Sequence, residues 1–276
     1  MDRSYAPRLR PNDHWVHPGG RTALGWLLAL VGGAGLAQEG PSVTPYRPTV
    51  SAPAALSAPG WVEIETGLQR SRAGGASQRD NLNYALKYAF SEDWGLRLQG
   101  EGWVHEQPGP GHRGLGDSSL VLKHRHSLDE DAALGLELSL KLPTARRGLG
   151  SGRRDAGLLG IYSLDFGEGR VWHTDVNLGL TQLGRLETKQ GHWQRAWAVD
   201  LARQLGPDWT VAAELSGLGQ RGTRSTHRGL LAASYALSPS VVIDFGSSRG
   251  LNRISGGWAV FAGLTFLAGR IDTPSP

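Results

Sequence analysis

Residues Leu134-Gly-Leu-Glu-Leu-Ser-Leu-Lys-Leu142 set five leucines at strict period two, with small or polar residues between them. A helix of 3.6 residues per turn would scatter these leucines around its axis, whereas a strand puts them all on one face. One face of the strand then meets a wholly apolar medium and the other a polar one. The same alternation recurs at 61–70, 80–90, 94–104, 116–126, 155–164, 170–183, 193–204, 209–219, 228–237, 240–246 and 257–267. With 134–142 these make twelve segments, an even number. Five short joints alternate with six longer loops rich in glycine and arginine, at 71–79, 105–115, 144–154, 184–192, 220–228 and 247–256. About ten residues at roughly 3.3 Å each, tilted about 40°, cover about 25 Å of membrane normal, the height of the apolar band of outer-membrane barrels. The pattern predicts an all-β fold, a transmembrane antiparallel up-and-down β-barrel of about 12 strands over 61–267, with a tail at 268–276.

A soluble sandwich or lipocalin-like barrel shares this alternation. The aromatic residues separate the two. Phe90, Trp94, Trp172, Trp209 and Phe266 all have outward parity and lie at strand ends beside the short joints, where an interfacial girdle is expected. The opposite faces carry Glu63, Glu65, Lys87, Arg97, Glu101, Lys123, Arg125, Glu137, Lys141, Asp175, Asp200, Glu214 and Asp244. A sandwich would have to bury these charges in an apolar core, whereas a barrel turns them into its lumen. They are the candidate lumen and selectivity residues. Lys123, Arg125 and Lys141 share an inward face on neighbouring strands and read either as a basic cluster or as a mutually neutralised wall.

The two ends of the barrel differ in sign. The six long loops hold fourteen Lys and Arg against two acids, while the five short joints hold eight acids and no base. Short turns face the periplasm in such barrels, so Arg146, Arg147, Arg153, Arg154, Arg221, Arg224, Arg249 and Arg253 form an expected extracellular basic mouth. It suits the phosphates of lipopolysaccharide, or carboxylated solutes gathered at the entrance.

Composition agrees with export to an oxidising compartment. The 276 residues include 40 glycines and no cysteine, are 39% apolar, and carry a formal net charge of +4. The absence of cysteine rules out a disulfide scaffold and any thiolate metal site. The small net charge gives no argument for nucleic acid. Residues 1–37 have signal-peptide order: Arg3, Arg8, Arg10 and Arg21, then the apolar run Ala23–Val31, then Gly35-Leu36-Ala37 as the cleavage site. Between leader and barrel, 38–60 contains Pro41, Pro45, Pro48, Pro53 and Pro59, which keep it out of the sheet. It reads either as a periplasmic linker or, because Val43, Tyr46, Val50 and Leu56 give it apolar side chains, as a lumen plug over part of 43–58. In the second case Arg47 is expected to pair with wall carboxylates such as Glu63 or Glu65.

Catalytic signals are weak. Gly109-Pro-Gly-His-Arg-Gly114 matches GxGxxG but lacks the following helix that phosphate binding requires. His124, His126, Ser127 and His173 have no third partner at a meaningful spacing for acyl transfer. No metal and no cofactor are predicted.

Four stretches resemble one family, the outer-membrane transporters associated with the meta pathway of phenol degradation. They are Arg47–Gln69, Gly114–Arg125, Leu138–Gly167 and Ser240–Leu267. The resemblance implies a barrel and uptake of small, often aromatic, compounds, with no catalytic residues to carry over. Barrels of that family usually end on an aromatic residue read by the assembly machinery, whereas Phe266 here is followed by LAGRIDTPSP. The expected protein is therefore a monomeric outer-membrane channel for small, aromatic or anionic, solutes, and not an enzyme. It would meet outer-membrane lipid, lipopolysaccharide and the barrel assembly machinery as partners. The alternatives are a barrel enzyme acting on lipid and a structural or adhesive barrel.

Overall fold

A computed structural model describes residues 40–73, 77–107, 113–184 and 190–271. The leader and cleavage site expected over 1–37 lie outside them. The chain closes into a ring of twelve long antiparallel strands: β1 Trp61–Ala73, β2 Gln78–Ala89, β3 Trp94–Gln107, β5 Ser118–Ser127, β6 Ala132–Leu142, β7 Asp155–Phe166, β8 Trp172–Gln182, β9 Trp193–Leu205, β10 Trp209–Gln220, β11 Thr226–Ser238, β12 Val241–Gly250 and β13 Gly257–Arg270. A two-residue strand, β4 Arg113–Gly114, pairs with the far end of β3. Each long strand pairs with its sequence neighbours, and β1 pairs with both β2 and β13, so no edge is left open. In hydrocarbon every backbone amide needs an internal partner, and closure supplies it.

The quoted leucines behave as alternation demands. Leu134, Leu136, Leu138 and Leu140 are 43%, 45%, 52% and 42% exposed, while Glu137 between them is 4% exposed. The apolar face therefore meets lipid and the polar face is buried in the lumen. Phe90, Trp94 and Trp209 are exposed near the short turns. A second girdle that the parity analysis did not isolate stands near the long loops: Trp103, Trp193, Trp197 and Trp258, all exposed. Trp94 and Trp103 lie on the same strand, and their separation corresponds to a band of roughly 20–25 Å at the usual strand rise and tilt.

Several boundaries differ from expectation: β1, β2, β3 and β11 run into the expected loops, to Ala73, from Gln78, to Gln107 and from Thr226, and three further differences concern named residues. Strand β13 runs to Arg270, not Leu267, because Arg270 and Gly269 pair with Trp61 and Val62 across a bulge at Val62/Glu63; the bulge breaks the period-two signal that marks a strand. Arg170 lies before β8, in the turn after β7, where it pairs with Glu130 at 3.0 Å and with Asp131. The short turns thus hold one base, which draws two adjacent turns together. Finally, β12 continues through Gly250, so Arg249 is a strand residue opposite Trp258 and not part of a loop. Its parity, odd like the lipid-facing Phe245, turns it to the outer wall and away from the mouth.

Candidate functional site

The strands deliver a ring of charged side chains to one level of the lumen. From β1, β2, β3, β5 and β6 come Glu63, Glu65, Lys87, Arg97, Lys123 and Glu137. From β8, β9, β10 and β12 come Asp175, Asp200, Glu214 and Asp244. All ten are buried. Residues 43–58 run through the middle of this ring.

That segment has no ladder partner over most of its length, so its amides must be satisfied otherwise. Wall side chains do so. Near the periplasmic end the Val43 amide donates to Pro239 O at 2.9 Å. The amides of Thr44 and Tyr46 donate to Glu63 at 3.0 Å and to Glu65 at 2.7 Å. Further in, Val50 N, Ser51 N and Ser51 Oγ all donate to Glu214 Oε2, at 2.7, 2.8 and 3.0 Å. Asn177 grips Ala52 from both sides, accepting its N–H at 2.8 Å and donating to its carbonyl at 2.9 Å. The Ala54 amide donates to Ser163 Oγ at 2.7 Å. Lys87 and Lys123 donate to the carbonyls of Thr44 and Pro53. The returning chain reaches β1 through Gly60, whose amide donates to Ala89 O at 2.8 Å.

Two side chains anchor the segment. The Tyr46 ring is surrounded by cations: Lys87 Nζ lies 3.9 Å, Lys123 Nζ 4.1 Å and Arg97 Cζ 5.0 Å from its centroid. The ring quadrupole favours that arrangement. Burial holds the Tyr46 phenol well above its usual pKa, so it stays protonated and donates to Ala55 O at 2.7 Å. Arg47 makes a bidentate pair with Asp244, at 3.0 and 2.9 Å, and its guanidinium lies 5.7 Å from the Phe261 ring. The expected partners Glu63 and Glu65 are instead taken by Lys87 and by the Thr44 and Tyr46 amides. The slot for Arg47 is cut by two facing glycines, Gly67 on β1 and Gly263 on β13. A Cβ at Gly67 would fall 2.6 Å from the guanidinium carbon, and one at Gly263 would also crowd the group.

The remaining predicted lumen residues fall into separate groups. Arg97 pairs with Glu137 at 2.7 Å, and Lys123 pairs with the same carboxylate at 3.4 Å. Arg125 lies at the inner opening, in a small cavity shared with Glu92, Thr44 and Leu56. Lys141 sits towards the long loops with Asp155, with Asp117 at 3.7 Å, and with Ser151 Oγ at 2.6 Å. Lys123, Arg125 and Lys141 therefore occupy three levels and form no single cluster. Glu101 accepts from Arg79 and from Asn81, the latter at 3.0 Å. Asp175 accepts from Ser163 Oγ and lies 3.1 Å from His173 Nε2, while Asp200 accepts the Asp175 amide at 2.6 Å. The three cations on β2, β3 and β5 are matched by three carboxylates. The four acids on β8–β12 are held mostly by neutral donors. Parity alone could not show this imbalance, which arises because the segment brings backbone N–H groups to one wall and a ring and carbonyls to the other.

Of the predicted mouth arginines, Arg146 donates to Arg113 O at 2.6 Å and ties two loops together. Arg147, Arg153, Arg154, Arg221, Arg224 and Arg253 are exposed. Above the segment the lumen widens into a cavity of about 560 Å3, lined by Tyr46, Arg47, Val50, Arg97, Gln99 and Glu101 among others.

The candidate nucleophiles do not assemble. Ser127 donates to Asp129 O at 3.0 Å, His124 packs on Trp94 at 4.5 Å, and His173 lies between Asp165 and Asp175, at 2.6 and 3.1 Å. Most of the GxGxxG stretch, 109–112, lies outside the described residues. Among the described residues no group of three His, Asp or Glu could hold a metal ion.

No family model matches the chain, and no curated protein matches it. Its fold is similar to solved barrels. One is an outer membrane channel from Pseudomonas putida F1, with TM-score 0.59 and 15% identity over 82% of this chain and 99% of that one. The KdgM porin gives TM-score 0.54 and 10% identity over 74% and 98%, and the NanC porin gives 0.53 and 8% over 74% and 98%. At such identities the likeness is one of fold. The chain is a closed twelve-stranded barrel of the outer-membrane type, and the lipid-facing band between its two aromatic girdles sets it in the bacterial outer membrane.

Proposed function

We propose that this protein is an outer-membrane channel for small solutes whose lumen is narrowed by its own segment 43–58. The observation that carries the reading is how that segment is held. It has no regular ladder, and among the described residues the apolar cluster beside it is small: Ala52 and Ala54 against Ala133 and Ile161. Its attachment is instead a set of separate polar contacts to inward side chains, each of which water can replace. A purely structural barrel has no need of a segment held so reversibly beneath a 560 Å3 vestibule. In this reading Glu65, Lys87, Lys123, Glu214 and Asp244 act first as anchors of the segment and shape selectivity only once it moves.

The solute reading is carried by charge and resemblance. Exposed mouth arginines raise the local concentration of anions. The resemblance of 47–267 to transporters associated with phenol degradation supports small aromatic compounds, acids among them. The KdgM porin, a barrel of like fold, is known in complex with disordered oligogalacturonate. The test is conductance of the refolded protein in planar bilayers, for wild type and for a deletion of 43–58, with and without aromatic acids. Larger, solute-blocked conductance in the deletion is the expected result. Absence of channel events in both proteins would overturn the reading.

A further inference from the structure

The outer wall of β9–β13 carries an open groove of about 940 Å3 that the channel reading does not use. Small residues, Ala213, Gly229 and Ser247, open it between the projecting side chains of Leu215, Leu231 and Leu251. Trp197, Val199 and Leu201 rise on one side and Trp258 and Val260 on the other. The groove is an open, mainly apolar recess in the lipid-facing band, in which an acyl chain can lie along the strands.

Its upper rim is cationic. Register sets Arg249 of β12 directly opposite Trp258 of β13, and Trp258 directly opposite Arg72 of β1. All three share the outward face at the level of the second aromatic girdle, where lipid phosphates lie. Two strand spacings separate the arginines, about 10 Å between backbones, close to the length of a disaccharide. Neither Arg72 nor Arg249 pairs with a carboxylate among the described residues. By contrast Arg70, one step below Arg72 on the same face, is already neutralised by Asp80 at 2.7 Å. The acids nearest the groove, Asp200 and Glu214, are turned into the lumen and only 4% and 3% exposed. Among the described residues the outward carboxylate nearest Arg72 is Asp80, which Arg70 already holds.

We propose that this groove binds one molecule of a diphosphorylated, acylated glycolipid of the outer leaflet, the lipid A part of lipopolysaccharide. Arg72 and Arg249 each take a phosphate, Trp258 packs between them, and an acyl chain fills the recess over Ala213, Gly229 and Ser247. The site rests on the outer wall alone and stands whether or not the barrel conducts.

The experiment is native mass spectrometry of the folded, full-length protein in detergent with diphosphoryl lipid A, monophosphoryl lipid A or phosphatidylglycerol. One diphosphoryl lipid A should bind per barrel, with the monophosphoryl form weaker. Arg72→Gln and Arg249→Gln should each weaken binding about fivefold, and together about 25-fold, as expected for two interfacial guanidinium contacts. Ala213→Phe, which fills the recess without touching the charges, should also weaken it while the protein keeps its heat-modifiable migration. Wild-type retention by the double arginine variant would overturn the proposal. So would equal retention of phosphatidylglycerol, which would show a generic anionic surface.

Discussion

Removing the Arg47 side chain should release the segment from the lumen wall. Arg47 donates two charge-assisted hydrogen bonds to Asp244, at 3.0 and 2.9 Å, with side-chain exposures of 17% and 2%. Bonds to charged groups contribute about 1.5–3 kcal/mol each when well buried. Arg47 keeps some access to lumen water, so about 2–3 kcal/mol for the whole pair is the reasonable figure. Each 1.4 kcal/mol is tenfold in an equilibrium, so Arg47→Ala should favour the displaced segment by about 30- to 150-fold. Single-channel recording in planar bilayers reads this directly as a rise in open probability. Asp244→Asn, which keeps the shape and removes the charge, should move it the same way by less. The exchanged pair Arg47→Asp with Asp244→Arg should return it part of the way towards wild type. If Arg47→Ala shows wild-type open probability while the unboiled protein still migrates as a folded barrel, the ion pair does not hold the segment and the argument fails.

Gly263→Val places a side chain in the Arg47 slot without changing any charge; open probability should rise as for Arg47→Ala, and an unchanged trace would show that the slot is not needed. Lys87→Gln with Lys123→Gln removes counter-ions from the buried carboxylates Glu63, Glu65 and Glu137, which should cost several kcal/mol, about 3–5 for a fully buried pair. The temperature of the heat-modifiable gel shift should fall and the reversal potential across a salt gradient should move towards cations. A variant unchanged in both would place these lysines outside the ion path. Lys141→Gln, at the outer end and away from that ring, should leave the reversal potential within error of wild type; a shift as large as that of the double variant would mean that the outer level sets selectivity.

The barrel was legible in the chain because a strand with one face in lipid keeps a strict period of two, and the aromatic residues at the strand ends separate it from a soluble barrel. Leucines 134–142, the even count of segments and the first aromatic girdle follow from that one constraint, and so does the inward placement of Glu137, Asp200 or Glu214. The signal failed where the constraint relaxes. The bulge at Val62/Glu63 hid the last turn of β13, and the continuation of β12 into a stretch rich in glycine, serine and arginine hid the outward turn of Arg249. The prolines of 38–60 excluded that segment from the sheet, but exclusion does not say where the chain goes. Its path depends on contacts between residues far apart in sequence: Arg47 with Asp244, Ser51 with Glu214, Ala52 with Asn177. The glycines that open the Arg47 slot carry no local mark, since Gly67 and Gly263 have meaning only once β1 and β13 are paired. The same holds for the row Arg249, Trp258 and Arg72. Local chemistry determined which face each residue occupies, because alternation depends only on immediate neighbours. Only barrel closure decided which residues meet across the lumen or along the outer wall, because those distances are set by register between strands that the chain brings together from its two ends.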